Sequence, residues 1–319
     1  MKNLKLSALA ATLALAYGTA FAADSTSTIS QSGDGNNATT TQTFANASSA
    51  SVSQTGDNNA AGVTQGSSEN AVNGATASVT QNGNGHVATI DQQHSTNAMH
   101  SAISQSGASN NGSISQRDTW FSNATILQNG NAGVASIVQA AFTDNSNAVI
   151  NQGGFSGEAR ITQVGAGSTA TILQNTGANP NGSFARINQG FGGGNSAAIT
   201  QGGSIWDGVA TVDQTGSGNS ANIQQGSGNQ NGAFQFGDFA NAAVTQSGNS
   251  NEANIDQRAG LYAVATITQS GSSNLANVTQ FGTGTALAPN VATVNQAGSG
   301  NTGTITQGGG AGNNATINQ

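Results

Sequence analysis

One pattern recurs from the first quarter of the chain to its last residue: Gln-x-Gly-x-x-Asn-x-Ala-x-Ile/Val-x-Gln. Copies run Gln54-Gly56-Asn59-Ala61-Val63-Gln65, Gln105-Gly107-Asn110-Gly112-Ile114-Gln116 and Gln214-Gly216-Asn219-Ala221-Ile223-Gln225. Further copies are Gln246-Gly248-Asn251-Ala253-Ile255-Gln257 and Gln269-Gly271-Asn274-Ala276-Val278-Gln280. In each, the second glutamine lies eleven positions after the first. A fixed period over a whole chain is the signature of a stacked array in which each unit contacts only its neighbours.

The Ile/Val beat begins at Ile29, passes through Val52, and continues past Gly298 to Ile305-x-Gln307 and Ile317-x-Gln319. Thr40 and Phe234 fill two gaps in it, and the phase slips near Ile161–Ile199 and again near Phe234. The count is about 25 short strands, or about 12 units of two strands each. Marked residues fall on alternate positions, as Asn59, Ala61, Val63 and Gln65 do, so within a strand they face one way. Gly, Thr, Asn and Ser in nearly every turn argue against helix. The expected fold is therefore all-β, a β-solenoid or cross-β stack of strand-arc-strand rungs.

Hairpins favour two-residue turns. Here Gly-x-x separates two arms with symmetric apolar residues, which favours an arch whose strands face each other across a core. Successive arches then stack in parallel, Ile over Ile and Gln over Gln. Each buried Ile or Val contributes roughly 1.5–3 kcal/mol, against about 1–2 kcal/mol of backbone entropy per ordered residue, so single rungs are unstable and many cooperate. An inward amide without a partner costs a few kcal/mol, whereas amides stacked at a spacing of roughly 4.8 Å can bond to the copies above and below.

Lys2 and Lys5, the apolar run Leu6–Ala16 and Ala20-Phe21-Ala22 read as a Sec signal peptide, residues 1–22, leaving an array over 23–319. Its removal leaves four arginines and no lysine against thirteen acids, a formal charge of −9. Nucleic acid is thus excluded as a partner, since nothing forms a basic patch. The absence of cysteine excludes disulfides and thiolate metal sites.

No catalytic or metal-binding residues and no cofactor are expected. His86 occupies the usual Asn place of an arc, and no Ser-His-Asp set or carboxylate pair recurs. The glycine motifs are followed by strands, not by the helix a phosphate loop needs. Asp91, Asp213, Asp256 and Arg258, with Arg117, Asp118 and Arg160, lie in or beside strands. They read either as solvated outer-face charge or as gatekeepers that slow premature stacking. Trp120, Phe121 and Trp206 fall in connections, as edge packing or as adhesion points.

The unit Ser-x5-Gln-x-Gly-x-x-Asn-x-Ala-x3-Gln, plain in Thr26–Gln42 and Asn274–Gln319, resembles the curlin repeat of curli amyloid subunits. The resemblance implies Sec export, passage through an outer-membrane secretion pore, periplasmic chaperones, a nucleator subunit, and growth of extracellular cross-β fibres in biofilm and adhesion. The array has more units than the family typically carries, and no Gly-rich segment lies between Ala23 and Ile29. Ending within a repeat at Gln319 and beginning at Ile29, the stack is expected to be adhesive at both ends, and head-to-tail contacts that do not close make fibres. A monomeric β-solenoid adhesin and an ice-binding module are the alternatives. Ice binding calls for a regular Thr-x-Thr face, and the outer positions mix Ser, Thr, Asn, Asp and Gly.

Overall fold

The computed structural model describes residues 24–66, 72–94, 98–176, 182–203, 207–226, 239–258 and 261–319. The signal peptide expected over residues 1–22, Trp206 and Phe234 lie outside these. The described residues are all strand and connection, with no helix among them.

Two parallel sheets of twelve strands each face one another. The first begins with Thr26–Ser32 and ends with Thr302–Gly309; the second begins with Asn37–Gln42 and ends with Asn314–Asn318. Consecutive strands of the chain alternate between the sheets, so each rung is one strand of each, joined by an arc. The arch, not the hairpin, is the observed connection. A third sheet of two short strands, Ala45–Asn46 and Val72–Asn73, lines one edge near the start.

Register follows the inward triad without exception. Ile29 pairs with Val52 and Val52 with Val79 in the first sheet, and Thr40 pairs with Val63 and Val63 with Ile90 in the second. A one-residue slip would turn Ile and Gln to solvent and Thr or Ser inward, so the period itself fixes the pairing. Ala, Ile/Val and Gln of each strand point between the sheets, and Val52, Val63, Ile114, Ile223, Ile255, Val278 and Ile305 join one continuous buried cluster. Ile317, on the last strand, is only partly buried against it.

The strand expected at Phe234 falls outside the described residues. Val212 pairs directly with Val244, and Ile223 with Ile255. The 26 observed strands are the 24 of the two large sheets plus the two short ones.

Candidate assembly surface

Glutamine closes every rung at the inward position two residues after Ile/Val, and both sheets carry it from end to end. In the first sheet the ladder runs Gln31, Gln54, Gln81, Gln105 and onward to Gln225, Gln257, Gln280 and Gln307. In the second it runs Gln42, Gln65, Gln92, Gln116 and onward to Gln214, Gln246, Gln269, Gln296 and Gln319. Every step has the same sense, Nε2 of one rung donating to Oε1 of the next, at 2.6 Å from Gln31 to Gln54 and 3.1 Å from Gln225 to Gln257.

The second amide hydrogen fixes that sense. It goes to a backbone carbonyl of the facing sheet: Gln54 to Asn37 at 3.1 Å, Gln65 to Ser49 at 3.2 Å, Gln81 to Ala60 at 3.0 Å. Since carbonyls only accept, the nitrogen must sit there and the oxygen must turn to the preceding rung. Each buried amide thus satisfies both hydrogens and its acceptor, which removes the desolvation cost that would otherwise make a polar core untenable. The stack is consequently polar along its axis.

Asparagine makes a second kind of ladder at the arcs. Its Oδ1 accepts the backbone N–H of the equivalent residue one rung on: Asn36 from Asn59, Asn219 from Asn251, Asn251 from Asn274 and Asn274 from Asn301, all between 3.0 and 3.1 Å. Its Nδ2 donates to the arc carbonyl of the rung above, as from Asn59 to Gly83 and Asn110 to Gly130.

The arc glycines approach that ladder from outside. Gly56, Gly107, Gly216, Gly248, Gly271 and Gly298 have φ between +93° and +103°, a region that costs little only for glycine. A Cβ on Gly56, Gly107, Gly216, Gly248 or Gly271 would lie about 2 Å from the carbonyl oxygen of the next arc, closer than any real contact. Gly298, with no arc above it, meets only Asn301 Nδ2 at 4.0 Å.

These arcs are of two kinds, which the repeat motif does not reveal. Gly33, Gly56, Gly83, Gly107, Gly130 and Gly154 stack along the outgoing edge, where the first sheet hands the chain to the second. Gly165, Gly192, Gly216, Gly248, Gly271 and Gly298 stack along the return edge, where the second sheet hands it back. Asn59 and Asn110 therefore belong to one edge, and Asn219, Asn251 and Asn274 to the other. The phase slip near Ile161–Ile199 marks this exchange in the sequence.

On the outgoing edge the Asn series is broken by His86, which is buried. Its backbone N–H still bonds Asn59 Oδ1 at 3.0 Å, and its Nδ1 accepts the N–H of Asn110 at 3.3 Å. Nε2 lies toward the carbonyls of Asn82 and Gly107 without a close hydrogen bond. Burial lowers the imidazole pKa more than those carbonyls raise it. Neutral His thus imitates Asn, accepting through one nitrogen.

Some of the charged outer residues are paired. Arg258 bonds Asp256 at 2.6 Å, and Arg186 bonds Asp213 at 2.7 Å from the neighbouring rung. Burial pushes the Asp256 carboxyl up, but the hydrogen bonds and charge of Arg258 together outweigh it and hold the group below its usual range. Asp91 accepts from Gln93 Nε2 at 2.8 Å. Trp120 and Phe121 are exposed on a return-edge connection, as is Phe142 on the one stacked against it.

Fold and ladders together define a parallel β-solenoid with an unbroken amide stack in its core, a class that fits structural or adhesive roles. The family model of the curlin associated repeat matches residues 22–56, which span the first rung and the strand that opens the second. The inward triad found there recurs in all the later rungs. No curated protein matches the chain.

Proposed function

We propose that this protein is a structural subunit of extracellular curli-like fibres, joined end to end through its terminal rungs. One observation carries the reading: among the described residues the terminal strands of each sheet have one neighbour instead of two, and the amide ladders leave complementary groups there. Among the described residues, Gln31 and Gln42 present Oε1 without a donor. Gln307 and Gln319 each have one amide hydrogen on a backbone carbonyl and none on a glutamine. Strand edges unprotected by lysine, proline or a covering helix are templates for further strands.

Export with removal of residues 1–22, passage through an outer-membrane pore, periplasmic chaperones and a nucleator subunit complete the proposal by resemblance to the curlin repeat. The experiment is dilution of purified, denatured chain with thioflavin T detection and seeding by preformed fibres. Seeded growth without a lag is expected; a chain that remains a soluble monomer for days overturns the reading. A monomeric adhesin is the second reading, and the exposed aromatic side chains at Trp120, Phe121 and Phe142 favour it over an ice-binding face.

A further inference from the structure

We infer that consecutive subunits join straight, first sheet on first sheet, with the outgoing-edge arc 307–313 of one copy beneath the arc 31–36 of the next. This rests on the fibre reading above and specifies its joint. Three independent features of the terminal rungs point to it.

The first is the stagger of the strands. Because Gln54, in the first sheet, reaches back to Asn37 in the second, and Gln65 in the second reaches back to Ser49 in the first, strands of the two sheets alternate in height up the stack. After the strand Asn314–Asn318 the next place belongs to the first sheet. A copy turned by half a turn would set its first strand over the second sheet and leave that place empty, removing about 4.8 Å of one sheet from contact. A straight copy fills it with Thr26–Ser32.

The second is the set of groups this places together. Gln31 bonds Gln54 through one amide hydrogen but lacks the backbone acceptor that Gln54 finds in Asn37. The equivalent acceptor one rung below is Asn314 O, on the last strand of the preceding copy. Gln307 Nε2 meets Gln31 Oε1, Gln319 Nε2 meets Gln42 Oε1, Ile305 lies under Ile29, and Ile317 lies under Thr40.

The third feature is specific to the arc. Along the outgoing edge the Asn series lapses after Asn110, from Gly133 to Ala263, and then returns for the last two rungs, where Asn290 Oδ1 accepts the N–H of Asn313 at 3.0 Å. The close glycine approach returns with it: a Cβ on Gly282 would lie 2.5 Å from Gly309 O, while a Cβ on Gly309 would meet nothing. Asn313 donates Nδ2 to Gly310, and no donor among the described residues reaches its Oδ1. Asn36, whose Oδ1 serves Asn59, has its own N–H unmatched in the same sense. Placing Asn36 over Asn313 and Gly33 over Gly309 continues Asn290–Asn313 directly into Asn36–Asn59.

Cysteine pairs on the outer face test the joint, and the chain has no cysteine of its own. Ser30 and Thr306 are both exposed and hold equivalent places in first-sheet strands; Thr41 is the corresponding exposed place in the second sheet. Directly paired strand positions fall within disulfide reach. Fibres of the Ser30→Cys/Thr306→Cys chain, mildly oxidised and run under denaturing, non-reducing conditions, are expected to give a ladder of covalent multimers. The Thr41→Cys/Thr306→Cys chain should remain monomeric on the same gel. Asn313→Ala should slow seeded elongation several-fold. Multimers from the Thr41 pair, fibres with neither cross-link, or an unchanged elongation rate for Asn313→Ala would overturn the straight joint. If the unsubstituted chain forms no fibres, the parent reading fails before any cysteine is introduced.

Discussion

The first six rungs and the last six carry the same inward triad but hold their glycine arcs on opposite edges. From Gly33 to Gly154 the tight stack lies on the outgoing edge, and longer connections bearing Trp120, Phe121 and Phe142 lie on the return edge. From Gly165 to Gly298 the arrangement is reversed, and Phe239, Tyr262 and Phe281 occupy the outgoing side. The two glutamine ladders pass through this exchange without a break. The contrast teaches that the amide and aliphatic core defines the solenoid, and that an arc can serve either edge because both sheets present Ala, Ile/Val and Gln at equivalent places.

If that is right, breaking an arc on either edge should be equally costly, and more costly than breaking one at the end. Gly107→Ala and Gly248→Ala each force an L-residue into φ near +100° and a Cβ into the next arc's carbonyl. Each should lose about 3 kcal/mol. Gly298→Ala, at φ +94° with open space above, should lose about 1 kcal/mol. Urea denaturation of soluble chain, paired with hydrogen exchange to locate the opened rungs, measures both. A large difference between Gly107 and Gly248 would mean that the edges are not equivalent.

The ladders should respond alike in both halves. Gln116→Leu and Gln246→Leu each remove a donor from one neighbour and an acceptor from another, since Gln116 lies between Gln92 and Gln139 and Gln246 between Gln214 and Gln269. Buried amides left unpaired cost about 1–3 kcal/mol. Equal losses in the two halves would place the ladder above the arc in importance; a loss confined to one half would reverse that order.

Most of this was legible because the period does two jobs. Alternation along Asn59, Ala61, Val63 and Gln65 gives both strand and inward face, and the eleven-residue spacing gives the arch. The edge exchange was not legible, because arcs with Asn110 and with Asn219 have the same spelling and differ only in which sheet precedes them. Parity along the chain carries that information. The two-residue strands Ala45–Asn46 and Val72–Asn73 were missed for another reason. Their buried neighbours Ala75 and Met99 come from connections of unequal length, which show no period.

His86 offers a sharper comparison of the two Asn series, one interrupted and one continuous from Asn195 to Asn301. Its folded-state pKa is lowered from 6.5 by burial, so in acid the unfolded chain binds the proton first. The site contributes its full stability above pH about 6.5 and loses it as pH falls through that value towards the folded pKa. Protonation puts a hydrogen on Nδ1, which then faces the N–H of Asn110 instead of accepting it. The carboxylate of the rung below, Asp57, bonds Asp34 N and so points away, and no charged group contributes to the shift. His86→Asn should abolish this acid-sensitive step while leaving neutral stability nearly unchanged. Denaturation midpoints at pH 5 and pH 7.5 measure it, and an equal pH dependence in the variant would show that His86 is not its source.

The smallest equilibrium effect is expected on the outer face, at its paired carboxylates. Asp213 and Asp256 are each paired with arginine and partly exposed, and such pairs contribute about 0–1 kcal/mol. Asp213→Asn with Asp256→Asn should therefore shift the denaturation midpoint little. If these carboxylates slow premature stacking, the lag before thioflavin T growth should nonetheless shorten about two- to fivefold, since each Asn replaces a charge that like-charged approach must overcome with a side chain able to join an outer amide row. Asn254 and Asn277 already form such a row, at 3.0 Å. An unchanged lag would assign both aspartates to ordinary solvated charge.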